Sequence, residues 1–348
     1  MIEKVWEHPE VFRIPVLLPE NPLRSLNVYV LRDEGESLVI DTGFHRQECR
    51  DALLSGLSEL GISPSSTRLF LTHLHSDHIG LAEQFVSPKS VIYMSGIDHA
   101  YFLNIKKGHV WPYMESLFVR NGFPEDEIAL QPTGNQGRRY APENPFPVQH
   151  VSDGDILRVG SCELHCIWTP GHTPGHMALY LPNEKLLFSG DHILFDITPN
   201  ISVWRDVPAS LGDYLWSLEK IKQLDVVYTF PAHRGGSDAL YDRINAIESH
   251  HRQRLAEVMS LLERHPGSSA FQIAGLMKWS ARGTPWEQFP PHQKWFATGE
   301  ALAHLLFLVQ SGQAVVREAD ETTQFSLSPR LLQSNQGGNN DGCQAGNQ

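Results

Sequence analysis

The sequence predicts an α/β fold with a smaller, mainly helical domain at its C-terminal end. Three observations carry this. Short apolar runs alternate with helix-periodic segments over about the first 240 residues. Several of those runs end in a tight turn that holds a histidine or an aspartate. From Asp242 onward the texture changes to long amphipathic helices followed by two short strands.

Taken in order, residues 11–18 and 25–32 read as strands, and 38–40 is a short apolar strand leading into Asp41-Thr42-Gly43. Residues 48–60 carry Leu53, Leu54, Leu57 and Leu60 at helical spacing and stop at Gly61. The run Arg68-Leu69-Phe70-Leu71 reads as a buried strand, 79–85 as a helix and 90–93 as the next strand. Residues 96–150 break the rhythm with an insertion rich in Tyr101, Phe102, Trp111, Tyr113, Phe118 and Phe123. It is read evenly as a helical pair completing an outer layer or as a lid whose aromatics meet an apolar substrate. Strands resume at 156–159, 163–168, 177–181 and 186–189, followed by a helix over 211–223 and a strand over 226–230.

The second domain is expected over residues 242–330, after a first domain over 1–241. Helices are predicted at 244–265, at 270–277 (capped by Ser268 or Ser269) and at 293–312, with a hairpin of 313–316 and 323–327 after them. Three helices and a hairpin make a winged-helix-like pattern. Its charges nearly cancel, with Arg252, Arg254 and Arg264 set against Glu248, Glu257 and Glu263, so a docking or substrate-wall module is favoured over a DNA reader. The polar, Gly/Asn-rich stretch 331–348 is expected to be disordered.

Bulk composition narrows the function classes. The chain has 348 residues, 41% of them hydrophobic, and a formal net charge of −12. That acidity disfavours nucleic acid as a partner and leaves room only for a local basic groove. The four cysteines, Cys49, Cys162, Cys166 and Cys343, form no CxxC pair and read as free thiols of a reducing compartment. The N-terminal segment has no apolar signal core, and no stretch approaches the ~18–20 apolar residues of a membrane span. A soluble, cytoplasmic protein acting on a small molecule is expected; assembly into a homo-oligomer is left open.

The most informative segment is Thr72-His73-Leu74-His75-Ser76-Asp77-His78, four potential metal ligands placed where a strand ends. Core packing needs no such cluster. Two further histidines sit in stiff turns after strands, His172 in Thr169-Pro170-Gly171-His172-Thr173-Pro174-Gly175-His176 and His233 in Pro231-Ala232-His233-Arg234-Gly235. Between them, Leu187-Phe188-Ser189-Gly190-Asp191 ends a strand in a carboxylate. The arithmetic fits two divalent cations, zinc being favoured and iron or manganese admitted. His73, His75 and His172 make one site, Asp77, His78 and His233 the other, and Asp191 bridges them. Cations about 3.5–4 Å apart would share a hydroxide of near-neutral pKa.

The ordered set His73-x-His75-x-Asp77-His78, His172, Asp191 and His233 resembles the metallo-β-lactamase-fold hydrolase superfamily. The resemblance covers about residues 10–240 and implies a four-layer αββα sandwich and hydrolytic chemistry. It also implies that Asp41 supports the ligands from behind. One departure is Ala232, where many relatives carry glycine before the last histidine. His75, where the oxygen-reducing di-iron branch has Glu, disfavours that branch. The C-terminal segment, including Gly299-Glu300-Ala301-Leu302-Ala303-His304-Leu305, is similar to the subgroup containing β-lactamase-like protein 2 and related thioesterase-like hydrolases.

The expected chemistry is attack by a metal-bridged hydroxide on a small acyl ester, thioester or lactone, with Asp77 as the catalytic residue that orients the nucleophile and relays its proton. No Gly-x-Ser-x-Gly elbow offers a serine nucleophile. The rivals are an endoribonuclease or phosphodiesterase and, from another class, a ligand-sensing DNA-binding regulator. His176, His192 and Tyr101 are weaker candidates for supporting the ligands or touching substrate, and His99 for lining the pocket.

Overall fold

The computed structural model of the chain describes residues 2–279 and 284–329. The expected disordered tail, 331–348 with Cys343, lies outside the described residues. Four strands, β1 (Glu3–Trp6), β2 (Glu10–Leu17), β3 (Ser25–Asp33) and β4 (Glu36–Ile40), form an antiparallel meander. Helix α1 (Gln47–Glu59) then crosses over to β5 (Arg68–Phe70), which runs parallel to β4. Cys49, Leu53 and Leu57, spaced four apart, turn one stripe of α1 into the core. The short helix α2 (Ser76–Ile79) leads through a 3-10 turn at Ala82–Phe85 to β6 (Val91–Ser95).

The insertion folds as α3 (Gly96–Lys106), α4 (Trp111–Arg120) and three single turns, α5 (Glu125–Ile128), α6 (Gln131–Gly134) and α7 (Gln136–Arg139), before β7 (Gln149–Val151) completes a seven-stranded sheet in sequence order. A second sheet of five strands holds β8 (Ile156–Val159), β9 (Cys162–Trp168), β10 (Met177–Leu181), β11 (Leu186–Gly190) and, after helix α8 (Ser210–Lys222), β12 (Tyr228–Pro231). Helices α9 (Leu240–Arg264), α10 (Ala270–Leu276) and α11 (Pro291–Gln310) and the hairpin β13 (Ala314–Ala319)–β14 (Thr322–Leu327) follow. Ser269 and Gln272 form a reciprocal capping box on α10. Asp320 and Glu321, both at positive φ, make the two-residue turn of the hairpin.

Strand alternation builds the layers. Tyr29, Leu31, Leu38, Ile40 and Phe70 face inward and meet Leu164, Leu179, Phe188 and Phe230 of the second sheet. Their neighbours Val28, Val30, Val39 and Leu69 face the other way, onto Leu53, Leu57, Phe85 and Phe102. On the far side, Ala178, Tyr180 and Leu187 pack on Leu211, Tyr214, Leu218 and Ile221 of α8. Both sheets are thus buried on both faces, which yields the four layers, αββα, that the resemblance implies. Each fully buried Leu or Phe contributes about 1.5–3 kcal/mol.

Three features sharpen the sequence expectations. The helix expected over 79–85 is interrupted, because Gly80 lies against the chain at 43–45: a Cβ there would sit 2.5 Å from Gly43 O and His45 N. Thr42 takes over the helix's bonds, its hydroxyl donating to His78 O at 2.6 Å and accepting from Leu81 N at 3.2 Å. Second, the insertion's aromatics are structural more than a lid. Phe102 enters the first core, while Met114, Phe118 and Phe123 join α9–α11, with Phe118 stacked on Trp295 at 3.7 Å. Third, no sharp border falls at residue 242, since Leu240, Ile244 and Ile247 belong to the layer beside α8 and Val258, Leu261 and Leu262 to the C-terminal core. One helix serves both. Among the described residues, no helix is long and apolar enough to cross a membrane, and Cys49, Cys162 and Cys166 are free and buried.

Candidate metal centre

Every donor sits just beyond the carboxyl end of a strand. Asp41 follows β4, residues 72–78 follow β5, 169–176 follow β9, Asp191 follows β11 and His233 follows β12. Of the four parallel pairs, β4–β5 in one sheet and β11–β12 in the other bring their ends together at the donors. A bond from Met177 N to Thr72 O at 2.8 Å ties the loops of the two sheets directly.

The seven predicted ligands converge. His73, His75 and His172 offer nitrogens within 4.8 Å of one another; so do the donors of Asp77, His78 and His233, and those of His73, His78 and Asp191. Asp191 stands between the halves: its Oδ2 is 3.5 Å from His172 Nε2 and 3.6 Å from His78 Nε2, and its Oδ1 is 3.4 Å from His233 Nε2. Asp77 Oδ2 is 3.4 Å from His233 Nε2.

Whether these residues suit cations is decided by what their outer nitrogens do. His78 Nδ1 bonds Asp41 Oδ2 at 2.8 Å, His172 Nδ1 the Asn200 carbonyl at 3.0 Å, and His233 Nδ1 the Ser25 carbonyl at 2.8 Å. His73 Nδ1 meets the Thr72 hydroxyl at 3.0 Å, and that hydroxyl is itself held by Asp41 at 2.9 Å. Proton-bearing Nδ1 atoms therefore face outward and leave Nε2 lone pairs facing in. Inside, His78 Nε2, His172 Nε2, His233 Nε2 and Asp191 Oδ1 are buried with no hydrogen-bond partner. Four unpartnered buried donor atoms aimed at one space are costly unless something positive occupies it. The donor set, imidazole with carboxylate, fits divalent zinc or its neighbours.

The two halves differ electrostatically. Burial and the neighbouring imidazoles hold His73 well below its ordinary pKa and His75 down to about 3, so these two rings are neutral and ready to ligate. For His78 and His233 burial pulls the same way, but the facing carboxylates outweigh it and raise both, His233 to about 10. Conversely, burial would raise Asp77 and Asp191, and the imidazoles opposite bring both below the usual carboxylate range.

The further candidates divide. His176 is completely buried and takes the Asp191 backbone N–H on Nε2 at 3.2 Å, with Thr169 Oγ1 on Nδ1 at 2.8 Å; it positions Asp191 from behind. His192 lies behind this layer, with neither ring nitrogen partnered, and burial pushes it down to about 3. Asp41, at φ 64°, serves Thr72 and His78 as described. Tyr101 reaches the centre only through Trp204, edge-on at 5.6 Å. His99 pairs with His150 at 3.0 Å, away from the ligands.

Sequence reasoning missed two residues. Trp204 stacks on His75 at 5.7 Å and donates Nε1–H to His172 O at 3.2 Å. Asp98, at the start of α3, is fully buried and accepts from Leu74 N, Thr173 Oγ1 and Gly175 N at 2.9, 2.6 and 2.6 Å, clamping two ligand loops. Burial pushes its carboxyl up to about 6 against the pull of those donors. Neither residue sits beside a ligand in the chain, so no local pattern marks it.

Comparison with known proteins places this geometry. A family model described as "Metallo-beta-lactamase superfamily" matches residues 22–233, and one described as "Metallo-beta-lactamase-like, C-terminal domain" matches residues 255–328. A Caenorhabditis elegans protein named "Beta-lactamase-like protein 2 homolog" is 27% identical over 263 residues, 74% of this chain and 73% of that protein. An Emericella nidulans protein named "Atrochrysone carboxyl ACP thioesterase" is 24% identical over 74% of this chain; the match spans 66% of its length, just under two thirds. The crystal structure of a metallo-beta-lactamase family protein from Thermus thermophilus superposes with a TM-score of 0.74 at 27% identity, covering 91% of this chain and 98% of that one.

Proposed function

The chain belongs to the metallo-beta-lactamase superfamily, and on that footing we propose that it is a dinuclear metal-dependent hydrolase of a small acyl ester, thioester or lactone. The observation that carries this reading is the convergence of buried, unpartnered His78, His172, His233 and Asp191 atoms, each imidazole oriented from behind. His73, His75 and His172 would hold one cation and Asp77, His78 and His233 the other, with Asp191 between. Divalent cations bound there supply Lewis acidity, lowering the pKa of water and polarising a carbonyl oxygen.

The chain's own residues supply the rest. Among the described residues, Asp77 has no hydrogen bond from outside the ligand set, so its ionised carboxylate is available to orient water and take up its proton. Trp204 and Tyr101 form an apolar wall beside His75, a ligand that keeps partial solvent exposure, and so suit an acyl chain. The thioesterase name of the fungal relative and the acidic balance of this chain favour acyl transfer to water over cleavage of a phosphate backbone.

The test is elemental analysis of purified protein together with a panel of thioesters, lactones, β-lactams, phosphodiesters and RNA. Two metal equivalents with turnover confined to acyl substrates are expected. Turnover of RNA alone, or full turnover after the metals are stripped, would overturn the reading.

A further inference from the structure

His172 is aimed by a single bond, from its Nδ1 to the backbone carbonyl of Asn200. That carbonyl lies in the irregular connection between β11 and α8, residues 191–209, which has no sheet or helix of its own to fix it. A carbonyl in such a loop is placed only as well as the loop is held. Ile193 and Ile201 pin the loop to the layer of α8, and the contacts to Asn200 itself come from the C-terminal domain.

The Asn200 side chain donates Nδ2–H to Glu300 Oε2 at 2.9 Å, one hundred residues away on α11. Beside it, Gly299 allows α11 to touch the loop: a Cβ there would overlap Ser202 Oγ. Val203 is buried in the core that α11 builds with α9. Glu300 is itself anchored, its Oε1 3.5 Å from Arg254 Nε on α9, with its side chain 13% exposed. Arg254 is fixed in turn by Glu257 Oε2 and the Lys278 carbonyl, both at 2.8 Å, and by Trp279, over which its guanidinium lies at 4.3 Å.

We propose that the C-terminal domain completes the metal centre: Glu300 is a positioning residue that, through the Asn200 side chain, fixes the backbone carbonyl orienting His172. The chain of contacts runs Arg254, Glu300, Asn200, His172, and ends on the three-histidine half alone. Trp204 of the same loop adds a second hold by donating to His172 O. His78 and His233 are oriented instead by Asp41 and Ser25, both in the first sheet's part of the chain. The domain therefore acts on one metal position and leaves the other untouched.

This rests on the dinuclear reading, and the experiment separates the two. Full-length wild type, Asn200→Ala, Glu300→Ala and Glu300→Gln are stripped and titrated with Zn2+ against a chromogenic chelator. Co2+ absorption spectra and the melting temperature of the metal-free proteins are recorded alongside. Asn200→Ala keeps the carbonyl and removes only its tether. Asn200→Ala and Glu300→Ala are expected to weaken one of two zinc sites by roughly 10–100-fold, with an altered Co2+ spectrum and the other site unchanged. Glu300→Gln, whose amide oxygen still accepts from Asn200, is expected to restore most of the affinity. Wild-type binding at both sites with equal affinities in Asn200→Ala overturns the positioning role. So does an equal loss at both sites that follows a fall in metal-free melting temperature. A wild type that binds no metal overturns the dinuclear reading and this one with it.

Discussion

Asp41 Oδ2 lies 2.8 Å from Nδ1 of His78, across 37 residues of sequence and with both side chains almost completely buried. The same carboxylate takes the Thr72 backbone N–H and hydroxyl, so one side chain orients His78 directly and His73 through Thr72. Its backbone sits at φ 64°, a left-handed conformation that Asp and Asn tolerate better than most residues.

Asp41→Asn therefore isolates charge from backbone. The amide keeps the conformation but offers His78 a weaker partner and lowers the basicity of its Nε2. Metal affinity is expected to fall by roughly 10–100-fold, with little change in the melting temperature of the metal-free protein. Competitive chelation and thermal denaturation measure the two.

Asp77→Asn removes the carboxylate assigned to water and its proton. Hydrolysis is expected to fall by about 10²–10⁴-fold, the usual worth of a positioned proton acceptor. The three-histidine position should retain its metal, so elemental analysis should drop from two equivalents toward one. Unchanged turnover would remove Asp77 from the mechanism.

Trp204 is expected to act on binding more than on chemistry. Trp204→Phe keeps the stack on His75 and loses the bond to His172 O, whereas Trp204→Ala loses both. For a medium-chain acyl thioester, KM should rise about tenfold in the alanine variant, consistent with roughly 1–3 kcal/mol of lost apolar contact. The phenylalanine variant should keep a near-native KM. Steady-state kinetics on both decide it.

Acid stability follows from a buried imidazole pair. His304 Nδ1 donates to the Glu300 carbonyl at 2.7 Å, so its Nε2 accepts from His251 Nδ1 at 3.2 Å; both rings are neutral. Burial lowers His304 to about 4 and His251 to about 2. Below pH 6.5 the unfolded chain binds protons that the folded one refuses. The stability present above pH 6.5 is therefore lost as pH falls through that value toward 4. Between pH 7.5 and 5.5 this pair contributes a loss on the order of 2 kcal/mol, so in urea denaturation His251→Gln should lose about 1 kcal/mol less than wild type over that interval.

The sequence displayed the ligands because each stands where an apolar run meets a stiff turn, a pattern carried entirely by near neighbours. The four layers were legible only through the resemblance those ligand motifs carry, because residues 28–31 and 38–40 are apolar throughout and their faces are assigned by the folded sheets. Hidden features are those set by contacts distant in the chain. Gly80 reads as an ordinary helix residue until Gly43 and His45 are found against it. Trp204, Asp98 and the Asn200–Glu300 bond carry no local signature, because their meaning comes from loops that only the tertiary fold brings together. Strands β1 and β7, four and three residues long, are too short to show a period. The aromatics of the insertion left an outer helical layer and a lid evenly matched, because composition cannot distinguish a core from a cleft.

The donors arrive from both sheets in chain order, from position 73 to position 233, with the anchor of His172 later still at position 300. Chains grow from their N-terminal end and fold as domains emerge. A ribosome that has released only the first sheet presents His73, His75, Asp77 and His78 with nothing opposite them. On the proposal above, a chain ending before α11 would carry all seven donors yet lack the Glu300 side chain that holds Asn200 in place behind His172.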